Sequence, residues 1–238
     1  MTQNKIIHLH KRAPGLGVQS FHDAMAKLPG FMPEIDGLSQ YVQSHTLLRG
    51  YSKGDLLFDA VEEFSFADEA ALRHFVRDSE GQLGSARARL VDSSASYRMH
   101  VKVHRVKDLD VPEGAVKNIE FVNRRPGMEL HAFRQYWRDI HGPIGSRIPS
   151  ILRYEQNHLA LPEYKGGQEP RYDGLAITWF ESTAAMRAGA ETEAYRITRE
   201  DEANFLPDGH LPIIIVNEVI RRQPDAPSVA RRSTKKAG

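Results

Sequence analysis

The sequence contains no cysteine. Disulfide frameworks, thiol nucleophiles and thiolate metal sites are therefore outside its chemistry. It also lacks a surplus of either charge: 32 Lys and Arg against 31 Asp and Glu leave a formal net charge of +1. So even a balance projects no broad field toward nucleic acid or an anionic membrane. No apolar run is long enough to span a bilayer, and Met1-Thr2-Gln3-Asn4-Lys5 leads only into a short apolar patch flanked by histidines. That patch is not the long apolar core of a signal peptide. Neither a glycine-rich phosphate loop nor a serine-nucleophile motif is present. These absences predict a cytoplasmic protein with no nucleic-acid or membrane partner, and no metal, nicotinamide or flavin cofactor.

What the chain does have is repetition. Residues 12–30 read RAPGLGVQSFHDAMAKLPG and residues 124–142 read RRPGMELHAFRQYWRDIHG. Arg12, Pro14, Gly15, Phe21 and Gly30 recur as Arg124, Pro126, Gly127, Phe133 and Gly142 at one offset. After a one-residue slip, Tyr41-Val42-Gln43-Ser44-His45 recurs as Tyr154-Glu155-Gln156-Asn157-His158. Phe58-Asp59 then recurs as Tyr172-Asp173. Three clusters in one order point to duplication: a first repeat over 1–107, a linker over 108–116 with Pro112 and Gly114, and a second repeat over 117–222.

Each repeat reads as strand, helix, strand, strand, helix, strand. In the second, the strands fall at 118–122, 151–159, 174–180 and 211–220, with an alanine-rich helix near 182–190. Leu130, Phe133, Trp137 and Ile140 recur at three and four residues, which predicts one buried helical stripe. Gly142-Pro143 is expected to stop that helix. The order βαββαβ is the ferredoxin-like unit. A four-stranded sheet with helices on one face leaves the other face open, so the fold class is α+β with the two repeats joined in one closed unit. After Arg222 the chain turns polar and basic. Residues 223–238 hold two prolines and the pairs Arg231-Arg232 and Lys235-Lys236, which reads as a flexible tail.

The second repeat resembles the EthD-type family of dimeric α+β barrel proteins. The resemblance rests on Arg124-Arg125-Pro126-Gly127, on Phe133-Arg134-Gln135-Tyr136-Trp137-Arg138-Asp139-Ile140-His141-Gly142-Pro143, and on Arg153-Tyr154-Glu155-Gln156-Asn157-His158. Asp201-Glu202-Ala203-Asn204-Phe205 before the last strand also fits. The first repeat is a degraded copy, with Pro29 where the second has His141. The resemblance implies an intrachain dimeric α+β barrel built from the two ferredoxin-like repeats. Family members and fold relatives include cofactor-free decarboxylases, dehydratases, cyclases and lactone isomerases, besides oxygenases and accessory proteins. Fold alone does not choose among them.

At the expected helix end, the C-terminal carbonyls favour a cation, which would raise the pKa of His141 into a range suited to acid–base work. The same position suits a histidine that caps the helix. The resemblance adds that the matching histidine transfers protons in several family enzymes. Tyr154, Gln156 and His158 alternate along one strand and share a face, as Tyr41, Gln43 and His45 do in the first repeat. That row is either a pocket wall or a feature the fold requires. Trp137, Arg124, Tyr172 and Asp173 complete the substrate-binding candidates, although an aspartate before a strand is often a turn cap. His8, His10, His100 and His104 lie on the first and last strands of the first repeat and could converge, but no carboxylate accompanies them at similar spacing. The reading that follows is a cofactor-independent lyase or isomerase. It would dehydrate, decarboxylate or cyclise a small carbonyl- or phenol-containing metabolite, with His141 as acid–base and His158 and Tyr154 positioning the substrate. The alternatives are a cofactor-free or haem-linked oxygenase on the same fold and a non-catalytic binding or accessory protein, with a homodimer left open.

Overall fold

A computed structural model describes residues 3–32, 34–164 and 169–223. The basic stretch at 224–238 lies outside them. Eight strands carry the fold: β1 Gln3–His10, β2 Leu38–Thr46, β3 Ala60–Phe66, β4 Tyr97–Asp108, β5 Val116–Val122, β6 Arg153–Leu159, β7 Gly174–Phe180 and β8 Ile213–Arg222. In the first half, helix α1 (Val18–Lys27) follows β1, and α2 (Glu69–Asp78) and α3 (Glu80–Arg87) follow β3. In the second, α4 (Leu130–Tyr136) and α5 (Gly142–Gly145) follow β5, and α6 (Thr183–Ala190) and α7 (Glu193–Glu202) follow β7. Helix α7 had no counterpart in the reading of the sequence. Its start is set by Thr192, whose hydroxyl accepts from the Tyr195 N–H, an N-cap that its Thr-x-x spacing allows.

The strand order is β4-β1-β3-β2 in the first half and β8-β5-β7-β6 in the second, so both halves have the same order. Every pairing is antiparallel. The open faces are buried by edge-to-edge closure rather than by stacking of two sheets: β2 pairs with β8, β4 pairs with β6, and the eight strands form one closed barrel. Closure leaves no free sheet edge. Strand alternation then sends one set of side chains inward and the other outward beneath the helices. Ile7, Leu9, Val61, Met99 and Val101 of the first half meet Ile119, Phe121, Leu159, Leu175 and Val216 of the second in the interior. Phe133, Trp137, Ile148, Ile151, Phe180 and Phe205 form a separate cluster under the second half's helices. Each half enters its first helix through a Pro-Gly turn whose glycine is left-handed, Gly15 at φ 80° and Gly127 at φ 79°. A side chain would be strained in that conformation.

Charge also crosses the barrel interior. Lys5 Nζ donates to Glu63 at 2.9 Å and to Glu155 at 2.8 Å. Lys117 Nζ donates to the other oxygen of Glu63 at 2.7 Å and pairs with Glu218 at 2.8 Å. Glu63 belongs to the first half and Glu155 to the second, so each acid binds an ammonium group of the opposite half. Burial alone would raise the Glu63 carboxyl. Lys117 and then Lys5 outweigh it and hold the group well below the usual range.

A folded-state pKa held below the unfolded one gives stability that is complete above the unfolded value and lost as pH falls. The Glu63 contribution should therefore be intact above pH 4.5, its ordinary value, and decline below it. Glu63→Ala takes one of its two carboxylates from each of two buried ammonium groups and should cost up to about 3–5 kcal/mol in urea unfolding at neutral pH. Its remaining stability should fall less steeply with acid than that of the parent.

Candidate active site

Helix α4 does not stop at Gly142-Pro143. It opens into a π turn over Trp137–His141 and continues through α5 to Gly145. The extra residue in the wide turn changes the phase of the stripe. His141 thus falls in line with Phe133 and Trp137 and is 7% exposed, while Ile140, expected inside, is 46% exposed. The imidazole is not at a helix end, and the predicted rise in its pKa does not occur. Burial lowers it, and the hydrogen bond and charge of Asp201 oppose that shift only in part. With Nδ1 2.8 Å from Asp201 Oδ2, the imidazole N–H donates there and Nε2 is the nitrogen left for a ligand. Tyr136 donates to the other Asp201 oxygen at 2.7 Å, and His141 packs on Phe205 with ring centroids 4.6 Å apart.

His141 lines a cavity of about 220 Å³ between the outer face of the sheet and α5, α6 and α7. Ile148, Ile151, Phe180, Met186 and Ile213 give it an apolar wall, and Tyr154, Asn118, Glu120, Arg199 and Glu202 give it polar groups. Burial pushes the Glu202 carboxyl up to about 7, with Arg199 opposing and Glu120 adding to the rise. Glu120 is raised as well, by burial against the hydrogen bond from Asn118. Asp201, Glu202 and Glu120 were missed as site residues. The signal for the first two was the Asp201-Glu202-Ala203-Asn204-Phe205 motif, and for Glu120 it was one acid in an otherwise apolar strand.

The expected site residues divide. Tyr154 reaches the cavity with His141, its hydroxyl accepting from Trp137 Nε1 and Gln156 Nε2, both at 3.3 Å. Gln156 and His158 share its strand face but lie behind the wall. Gln156 Nε2 donates to the Trp137 carbonyl at 2.6 Å, and His158 Nε2 lies 3.3 Å from the Gln156 side-chain oxygen. His158 packs on Trp137 with ring centroids 4.4 Å apart, and burial drops its pKa to about 3. The first half repeats this chain. Gln43 donates to the Met25 carbonyl and to Tyr41, both at 3.0 Å, and His45 lies 3.0 Å from Gln43. The row ties the first helix of each half to its sheet.

Arg124 and Asp173 bind each other at 2.5 Å, with Tyr164 also donating to Asp173. Arg12, Asp59 and Tyr51 form the same cluster in the first half. It anchors loops and lies away from the cavity. Tyr172 packs in the barrel interior against Phe121. In the first half, His10 lies 2.7 Å from Glu62 and His8 lies 3.3 Å from Glu80, so carboxylates do accompany these histidines, contrary to expectation. Among the described residues no group of three or more such side chains could hold a metal ion.

Strand register explains why the second half has a cavity. Asn118 pairs with Thr178 and Glu120 with Ala176, where the first half pairs Ile6 with Phe64 and His8 with Glu62. Phe64 stacks with Phe75 in a fully buried cluster. Thr178 and Ala176 leave that volume open.

An eight-stranded α+β barrel, with this cavity between sheet and helices, has the fold of the dimeric α+β barrel proteins. Residues 125–208 match the EthD domain. No protein of curated function matches the sequence. Similar solved structures include an anthrone oxidase-like protein, with TM-score 0.61 and 11% identity over 94% of each chain. A candidate monooxygenase from Lactobacillus acidophilus gives 0.58 and 10%, over 94% of this chain and 97% of that one. A heme-binding protein from Thermus thermophilus gives 0.53 and 15%, over 92% of each. At these identities the likeness establishes fold alone. Haem does not fit the residues here. The cavity is smaller than the roughly 300–1,000 Å³ of drug-sized ligand pockets, and Glu120 and Glu202 place two carboxyl groups in it.

Thr178→Phe should reproduce the filled first half. The variant should keep a melting temperature within a few degrees of the parent, because the cavity receives the ring. Small-molecule binding, followed by fluorescence of an apolar dye or by calorimetry, should be lost.

Proposed function

We propose that the second-half cavity is an active site in which His141 removes a proton from a phenolic or enolisable small molecule, and that the resulting anion reacts with dioxygen without a bound cofactor. The observation that carries this reading is the His141–Asp201 pair set in the wall of a mostly apolar cavity. Asp201 holds the imidazole by Nδ1. Its lowered pKa keeps it neutral near pH 7, so Nε2 offers a lone pair to the substrate. The proton goes to Nε2, the electron pair stays on the delocalised substrate, and dioxygen is the oxidant. The names of two fold neighbours, an anthrone oxidase-like protein and a candidate monooxygenase, support the oxidative step.

A second reading, a lyase or isomerase, has one specific observation in its favour. Glu202, raised to about 7, is a carboxyl able to return a proton to carbon or to a leaving group. Both readings share the first step and part at the fate of the anion. We also read the chain as a tandem duplication of one ferredoxin-like unit, 1–107 and 117–222 joined by 108–116, in which the first copy has become scaffold. The common strand order, the common Tyr-x-Gln-x-His bonding and the common Arg–Asp–Tyr anchor support that reading.

His141→Gln should lower kcat/KM by about a hundredfold or more, the usual loss of a general acid–base group. In the parent, kcat/KM should rise with pH as the imidazole loses its proton, with a midpoint below 6.5 because burial lowers the imidazole. Asp201→Asn removes the charge that opposes the shift, so the rising limb should move to lower pH while the plateau drops. Turnover of a phenol and enol panel should consume oxygen and stop under nitrogen. Undiminished anaerobic turnover would select the lyase or isomerase, and no turnover across the panel would leave a binding protein.

A further inference from the structure

The polar side of the cavity carries Asn118 and Glu120 from β5 and Arg199 and Glu202 from α7. Asn118 is 8% exposed. Its amide nitrogen donates to Glu120 Oε1 at 3.0 Å, while its Oδ1 is buried with no hydrogen-bond partner among the described residues. A buried acceptor left unpaired costs about 1–3 kcal/mol, and Asn118 lines the cavity beside Glu120 and Glu202. The first half has no such acceptor, because Ile6 occupies the register position of Asn118.

We infer that Asn118 Oδ1 is the specificity determinant of the cavity, accepting a hydrogen bond from a hydroxyl, other than the group His141 deprotonates, of a neutral, otherwise apolar ligand. This rests on the reading that the cavity is the substrate site. A hydroxyl satisfies the orphaned oxygen, whereas an ether oxygen cannot. A carboxylate would present only acceptors to Asn118 and would have to shed its hydration in the same apolar cavity. An ammonium group could donate, but it would have to leave its hydration for a cavity walled by Ile148, Ile151, Phe180, Met186 and Ile213. Neutral carboxyls, which Glu120 and Glu202 approach, would compensate it little. The recognised class is therefore a neutral hydroxyarene or enol with no acidic substituent.

Four probes of one size and different heads test this by calorimetry on the full chain: naphthol, methoxynaphthalene, naphthoate and naphthylmethylamine. Naphthol should bind about tenfold more tightly than methoxynaphthalene, the scale of one net hydrogen bond, and naphthoate and naphthylmethylamine should be weakest. Asn118→Ile, which restores the residue the first half already accommodates, should bring the naphthol and methoxynaphthalene affinities to within about twofold of each other. His141→Gln should keep the naphthol preference. Equal binding of naphthol and methoxynaphthalene by the parent, tightest binding of naphthoate or naphthylmethylamine, or a preference that survives Asn118→Ile would overturn the inference. Loss of the preference in His141→Gln instead would move the determinant to the imidazole. Because these are affinities, they stand or fall apart from turnover. An inactive protein that still prefers naphthol through Asn118 would retire the proposed catalysis and keep this assignment.

Discussion

Two sheet edges meeting across the middle of the chain hold this molecule together. Each half, alone, would expose the unpaired backbone of its β2 or β4 edge, or of the matching β6 or β8 edge, together with one apolar sheet face. Pairing β2 with β8 and β4 with β6 satisfies those edges and buries both faces at once. The interior ion chain then selects which face meets which. Lys5 and Lys117 stand at matching places in the two halves, and each finds an acid from the opposite half. A slip in register would leave at least one ammonium group buried without its carboxylate, which costs far more than an apolar mismatch. The barrel is therefore fixed in register by charge as well as by backbone pairing.

On that common frame the halves diverge through a few substitutions of size. The Tyr-x-Gln-x-His row works alike in both, each glutamine binding a carbonyl of the helix above it. Such a bond, buried and repeated, accounts for the recurrence of the row without any appeal to catalysis. The difference lies in what fills the space beside it. Phe64 and its neighbours fill the matching place in the first half, and Thr178 and Ala176 leave it open in the second. Burial raises both carboxyls that line the opening, Glu202 to about 7 and Glu120 in the same direction.

The π turn is the local device that brings His141 to that place. A regular α-helix carrying Phe133 and Trp137 inward would next turn Ile140 to the sheet and leave the histidine at the margin. One extra residue in the turn exchanges them, and Gln156 supplies a bond to the Trp137 carbonyl within the widened loop. Helix geometry, strand face and cavity are thus tied through Trp137, which packs on His158, Tyr154 and Gly174.

Periodicity and repetition by themselves determined the order of the strands, the shared face of Tyr154, Gln156 and His158, and the Pro-Gly turns. These are properties of local geometry and of matched spacing, which one dimension records. Tertiary structure alone decided that Arg124 and Asp173 bind one another, and that Tyr172 points into the barrel. It also decided that His141 is governed by burial and Asp201 rather than by a helix end. Asp201 lies sixty residues from His141 in sequence and 2.8 Å from it in space, and Glu120 joins Glu202 only after β5 and α7 pack together. Whether a polar side chain meets a partner, a cavity or solvent depends on what the rest of the chain places opposite it. That is set by strand register and side-chain volume across the barrel, which no local pattern encodes.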